Sequence, residues 1–122
     1  MVDLTSAACE AHNVDKGEYA RERRLGEWCM CRALGVLKGR DNPLTIEEFW
    51  VPIHGLGSTF WIALERLPWF IEIRRTILAN PTHFIISAPS RQSSSFVGKY
   101  LSIQRNFGET FDRFIPTGHK YL

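Results

Sequence analysis

Four residues resemble a zinc-ligand set: Cys9 and His12, three positions apart, and Cys29 and Cys31, two apart. A structural zinc needs four such ligands converging tetrahedrally. The spacing around Cys29 and Cys31 predicts helix, on which the two thiols point in different directions, so one ion cannot easily use both. Cys29 reads as a core thiol and Cys31 as a surface thiol, with no metal. Gly55-Leu56-Gly57-Ser58 ahead of a helix could cradle phosphate through backbone N–H groups. It lacks the third glycine of a dinucleotide fingerprint and the Gly-Lys-Ser/Thr of a P-loop, and reads as a turn between two helices. His54, His83 and His119 are isolated, and no Gly-x-Ser-x-Gly, His-Glu-x-x-His or paired-Asp motif accompanies them. The expectation is a non-enzyme with no cofactor and no small-molecule substrate.

Cations offer a clearer pattern. The net charge is +2, but it is unevenly spread. Residues 41–70 carry Arg66 alone against Asp41, Glu47, Glu48 and Glu65, while residues 71–122 hold seven Lys/Arg against Glu72, Glu109 and Asp112. Phosphate neutralisation supplies much of the affinity for nucleic acid. Arg66, Arg74, Arg75, Arg91, Lys99 and Arg105 are therefore the candidate nucleic-acid contacts. Tyr100 and Phe107 are interleaved among them, but at core spacing.

These residues must be positioned by a chain of 122 residues, 44% of them hydrophobic, which fits one domain of ordinary size. Residues 1–17 read as a loose tail and residues 18–122 as a single domain. No apolar run approaches the roughly 20 residues of a membrane helix. The N-terminus lacks the basic and apolar regions of a secretory signal. A cytoplasmic or nuclear protein with reduced thiols, neither secreted nor membrane-bound, is expected.

Apolar spacing predicts a first helix over 18–38, with Leu25, Cys29, Ala33, Val36 and Leu37 on one stripe, Arg21, Arg24, Glu27 and Lys38 opposite, and Gly39 as the stop. Thr45 and Glu48 form a capping box for a second helix, which Pro52 should stop or bend early. Ser58 should cap a third helix over 59–67. After Pro68 the alternation of Trp69, Ile71, Ile73 and Ile77 with Glu72, Arg74 and Thr76 predicts a strand over 69–78. A turn over 79–82 then leads to a second, antiparallel strand over 83–87. Pro89 and nearby serines make a loop, and Phe96, Tyr100, Ile103 and Phe107 mark a last helix ended by Gly108.

The order helix, short Leu-Thr strand, helix, turn, helix, hairpin, helix resembles the winged helix-turn-helix superfamily. Arg32-Ala-Leu-Gly-Val-Leu37, Pro43-Leu-Thr-Ile-Glu-Glu-Phe49 and Ser58-Thr-Phe-Trp-Ile-Ala-Leu-Glu-Arg-Leu67 carry the resemblance. It implies a mainly helical α+β fold with a two-stranded wing over 69–87 and a C-terminal helix. It also implies a DNA-binding regulator whose third helix enters the major groove. Phe49, Ile53, Phe60, Leu64 and Leu67 would hold the helices together, with Trp61, Ile62, Glu65 and Arg66 outward. That outward face departs from the Arg, Lys, Asn and Gln usual for base reading. Two functions follow. One is binding of DNA through the wing and the basic C-terminal helix. The other is a protein-interaction module presenting Trp61 and Ile62 to a partner or a second copy.

Overall fold

The computed structural model describes residues 2–26, 28–88, 90 and 92–118. The fold is α+β and mainly helical. Its elements run β1 (Val2–Asp3), α1 (Leu4–Ala11), α2 (Lys16–Arg23), α3 (Met30–Leu37), α4 (Ile46–Gly55), α5 (Ser58–Ile62), β2 (Glu65–Arg66), α6 (Phe70–Ala79), β3 (Ile85–Ser87), α7 (Ser93–Phe107) and β4 (Phe114–Pro116). No helix among the described residues is long and apolar enough to cross a membrane. The chain gathers into two compact units, one of Asp3–Leu56 and one built on the chain from Gly57 onward. The boundary falls between α4 and α5, so the expected helix-turn-helix pair is divided between the two.

In the first unit α1 packs on α2 and α4, and α2 on α3. Residues 3–11 fold where a tail was expected. The Asp3 carboxylate accepts from the Ser6 N–H at 3.0 Å and so starts α1, which buries Ala8 and Cys9. The single helix expected over 18–38 is two helices. The Asp15 side chain caps α2, and the chain leaves helix after Arg23, ahead of Gly26. It re-enters helix after Cys29, which is exposed rather than in the core, as is Leu25. Glycine's cost in a helix, about 1 kcal/mol relative to alanine, is consistent with a break here. Gly35 has the opposite role. A Cβ there would sit 2.8 Å from the Leu44 nitrogen and Pro43 Cα, so glycine lets residues 43–44, which form no strand where a short Leu-Thr strand was expected, lie directly on α3. Gly39, at φ +72°, ends α3 as expected.

The capping box is present. The Glu48 N–H donates to Thr45 Oγ1 at 3.1 Å, and the Thr45 N–H donates to Glu48 Oε1 at 3.2 Å. Arg40 adds an ion pair to Glu48. Pro52 does not end α4, which runs on to Gly55. The missing N–H leaves the Glu48 carbonyl without its intrahelical donor. Phe49 and Ile53 are buried in this unit; the full burial of Ile53 and Leu34 is worth about 1.5–3 kcal/mol each.

In the second unit the largest departure is α6. Residues 70–79 are helical where a strand over 69–78 was expected. The alternation is real in the sequence, but two of its four apolar members do not pack: Trp69 is 54% and Ile71 65% exposed. The inward set is Phe70, 4% exposed, with Ile73 and Ile77 half-buried, a spacing of three and four that belongs to a helix. The antiparallel wing over 69–87 is therefore not formed. β3 covers only residues 85–87 of the expected 83–87 and pairs in parallel with β4, Ile85 opposite Phe114, Ile86 opposite Ile115 and Ser87 opposite Pro116.

α5 stops at Ile62, short of the expected Leu67, and the chain extends into β2. Gly57, not Ser58, is its N-cap. The Ile62 carbonyl accepts from Arg105 Nη1 at 3.3 Å, so a distant side chain serves that end of the helix. α7 ends at Gly108, φ +107°, as expected. Its inward face is not the expected one. Phe96 and Tyr100 are exposed, and Ser95, Gly98, Ser102 and Asn106 are buried along with Phe107. These small and polar residues, spaced three, four and four, let α5 and α7 pack with little between their backbones.

Gly98 sets that approach. A Cβ on it would meet Trp61 Cβ at 2.6 Å and the Ser58 carbonyl oxygen at 2.8 Å, and neither can swing away. Gly98→Ala is expected to destabilise the protein by about 1–3 kcal/mol through overpacking. Gly55→Ala, with nothing within 4 Å of the added atom, is expected to be neutral or stabilising by up to about 1 kcal/mol. Urea unfolding midpoints of the two variants check the contrast.

Candidate functional site

The last turn of α7 gathers three of the cations singled out in the sequence. Asn106 is buried, and its Nδ2 donates to the Ser102 carbonyl at 2.8 Å and to Ser102 Oγ at 3.2 Å. Those bonds fix the amide so that Oδ1 accepts from Arg66 Nε at 2.5 Å. The Asn106 backbone carbonyl, one of the orphan acceptors at a helix C-terminus, takes Arg74 Nε at 2.8 Å. Arg105, the adjacent residue, reaches back to α5 through the Ile62 carbonyl. The Arg66 guanidinium also lies over the Phe70 ring, 5.2 Å from its centroid. β2, α6 and α7 each contribute one arginine.

All three arginines are exposed. Among the described residues the ion pairs join Lys16 to Asp3 and Arg40 to Glu48, so no carboxylate neutralises the cluster. A guanidinium has five N–H donors in a planar fork. Anchoring through Nε spends one on each of Arg66 and Arg74 and leaves four on each exposed side chain; a guanidinium's paired nitrogens grip phosphate or carboxylate in pairs of hydrogen bonds. The negative end of the α7 dipole favours cations at this place.

The other expected contacts are elsewhere. Lys99 donates to Ser87 Oγ at 3.0 Å and to the Ala88 carbonyl, and its ammonium lies 5.0 Å over the Trp61 ring. It joins α7 to β3 and α5. Arg75 is exposed on α6, and Arg91 lies outside the described residues, as do Glu27, Pro89 and His119. Trp61 does not face outward. It is 5% exposed and packs against Gly98, while Ile62 is half-buried. A tryptophan followed by isoleucine looks exposed only if the helix turns its other side inward; the small residues of α7 select the Trp61 side. Leu64 and Leu67 are half-buried, and Phe60 is buried.

Sequence reasoning did not find Asn106 or Arg113. Arg113 donates to the carbonyls of Ile77 and His83 at 3.0 Å each and to that of Asn80, which ties the end of α6 to the entry of β3. The signal available for Asn106 was its place in the series Ser95, Gly98, Ser102, Asn106, which an apolar search passes over.

Among the described residues no group of three His, Cys, Asp or Glu could hold a metal. Cys9 is buried, and burial raises its thiol pKa. Burial likewise raises that of half-buried Cys31. His54 stacks on Trp50 at 5.5 Å, and His83 is exposed. Among the described residues the histidine in the core is His12, 3% exposed and stacked on Phe49 at 5.4 Å. Its Nε2 donates to the Phe49 carbonyl at 2.7 Å, so the proton sits on Nε2, and Nδ1 is buried with no hydrogen-bond partner.

Comparison with protein-family models, curated proteins and solved structures finds no match to this chain.

The state of His12 gives a pH dependence. Burial, reinforced by the Lys38 ammonium, lowers its pKa below the ordinary 6.5, outweighing the bond to Phe49. The unfolded chain therefore binds a proton that the folded chain refuses. Stability should be full above about pH 6.5 and fall as the pH drops below it toward the lowered folded-state pKa. His12→Phe should flatten the urea midpoint between pH 7.5 and 5. An unchanged slope in that variant would assign the dependence to another group.

Proposed function

We infer that this protein binds nucleic acid through phosphate contacts from Arg66, Arg74 and Arg105. The observation that carries the reading is the convergence of Arg66 and Arg74 on Asn106, beside Arg105, with no ion pair to any of the three among the described residues. Exposed arginines held by one nitrogen are preorganised, so less side-chain entropy is lost when a phosphate arrives. The excess of Lys and Arg over residues 71–122 supports the same direction.

This reading requires neither a wing nor a base-reading helix. It predicts affinity that depends on charge and little on sequence, because phosphate contacts position a protein without reading bases. The interaction-module alternative loses its anchor, since Trp61 is buried.

Titration against a generic DNA duplex at several salt concentrations tests it. Each neutralised phosphate contributes about 0.9 to the slope of log affinity against log salt. The combined Arg66→Gln, Arg74→Gln, Arg105→Gln variant should bind more weakly and lose about two to three units of slope. The matching lysine variant keeps the charge while breaking the anchoring, and should hold the slope. Wild-type protein that does not bind, or a glutamine variant with the wild-type slope, contradicts the reading.

A further inference from the structure

A cavity of about 360 Å³ in the first unit is lined by Thr5 of α1 and by Lys16, Tyr19, Ala20, Arg23 and Arg24 of α2 and its C-cap. The five positions on α2 are spaced three, one, three and one, so they share one face of the helix. Glu18 and Glu22, the acidic residues of α2, do not line the cavity. Its walls therefore gather three cations, and no carboxylate among the described residues.

The three cations are not equivalent. Lys16 is paired with Asp3 at 3.2 Å, the same carboxylate that caps α1, so its charge is compensated. Arg23 and Arg24 are exposed and have no ion pair among the described residues. They stand at the C-terminal end of α2, where the helix dipole holds cations in place. Lys16 and Arg24 lie about 12 Å apart along the helix axis, at about 1.5 Å per residue. The cavity thus has one neutralised end and one end with two uncompensated guanidinium groups.

Tyr19 lies between those ends. It is 2% exposed, yet its hydroxyl has no hydrogen-bond partner among the described residues. Buried tyrosine hydroxyls usually find one. The hydroxyl is not sealed in, unlike His12 Nδ1. The cation whose field reaches it is Arg23, which lines the same cavity. Burial raises its pKa, so at neutral pH it is an O–H donor and not a phenolate. An open donor beside two unpaired guanidinium groups calls for an acceptor that carries negative charge.

We propose that this cavity binds a small organic phosphate monoester. The phosphoryl group sits at the Arg23–Arg24 end and accepts from both side chains and from the Tyr19 hydroxyl. Such a group carries about two negative charges near pH 7, which two arginines neutralise. The organic part lies toward Lys16 along Ala20, the Tyr19 ring and Thr5. The volume is near the lower end of the roughly 300–1,000 Å³ of small-molecule sites, which favours a compact ligand over a polymer. The site lies in a different unit from the arginine cluster and is independent of the nucleic-acid reading.

Backbone amide NMR titration of the full chain with phenyl phosphate, inorganic phosphate and benzoate tests the proposal. Phenyl phosphate should shift the amides of residues 5 and 16–24 saturably, and bind about tenfold more tightly than either of the other two anions. Arg23→Gln with Arg24→Gln should weaken it by about tenfold or more, and Tyr19→Phe, which keeps the buried ring, by several-fold. The combined Arg66→Gln, Arg74→Gln, Arg105→Gln variant should bind it as the wild type does, which separates this site from the nucleic-acid reading. If the double arginine variant fails to fold, Tyr19→Phe and the positions of the wild-type shifts decide. Absence of saturable shifts at these amides overturns the proposal, as does binding that survives both sets of substitutions. Equal affinity for inorganic phosphate or benzoate overturns the ligand class, and a generic DNA duplex that moves the same amides overturns the small-molecule assignment.

Discussion

The second unit depends on how closely α7 approaches α5. With only hydrogen on Gly98 Cα, the Trp61 side chain and the Ser58 carbonyl fill the space a methyl group would need. That contact buries Trp61, brings Lys99 over its ring and places Arg105 within reach of the Ile62 carbonyl. Two turns further along the same face, Asn106 is buried with its amide fixed by Ser102. The arginine cluster is thus a consequence of a helix that packs through small residues. A bulkier residue at 98 would push α5 outward and disturb every later contact on that face.

Legibility in the sequence followed the range of the interaction concerned. The Thr45–Glu48 capping box and the glycine stops at 39 and 108 are set by neighbours within a few residues, and they are where the spacing put them. The existence of α7 was also readable, because its apolar residues recur with helical period. Its inward face was not. Phe96 and Tyr100 share that period yet are exposed, since the partner helix fits against Ser95, Gly98 and Ser102. Residues 69–78 failed for a related reason. Ten residues can satisfy period two and helical spacing at once, and the deciding fact is that Phe70 is buried while Trp69 and Ile71 are not. Pro52 is a milder case, in which the tertiary burial of Phe49 and Ile53 on either side outweighs the local loss of one hydrogen bond.

Of the candidate site, the residue types were legible and the grouping was not. Arg74 and Arg105 stood out as cations in a sequence that turns basic after residue 70, and Arg66 as the single cation of the acidic stretch before it. Nothing in their spacing says that two of them share one asparagine, because those bonds span 32 and 40 residues. Lys99 shows the converse: a cation with the same apparent promise is turned inward to join three elements. Separating cations that hold the fold from cations that remain available is what assigns the cluster its chemistry.

The central claim is that Arg66 and Arg74 are held on the two oxygens of Asn106, side chain and backbone. The Nε–Hε resonances of the arginine side chains, observed by nitrogen-edited NMR with solvent exchange, test it most directly. Two of them should exchange slowly in the wild type. In Asn106→Ala the Arg66 signal should return to fast exchange, because its acceptor is gone, while the Arg74 signal, bound to the backbone carbonyl, should stay slow. Fast exchange of every arginine Nε–Hε in the wild type, or loss of neither signal in the variant, would contradict the account.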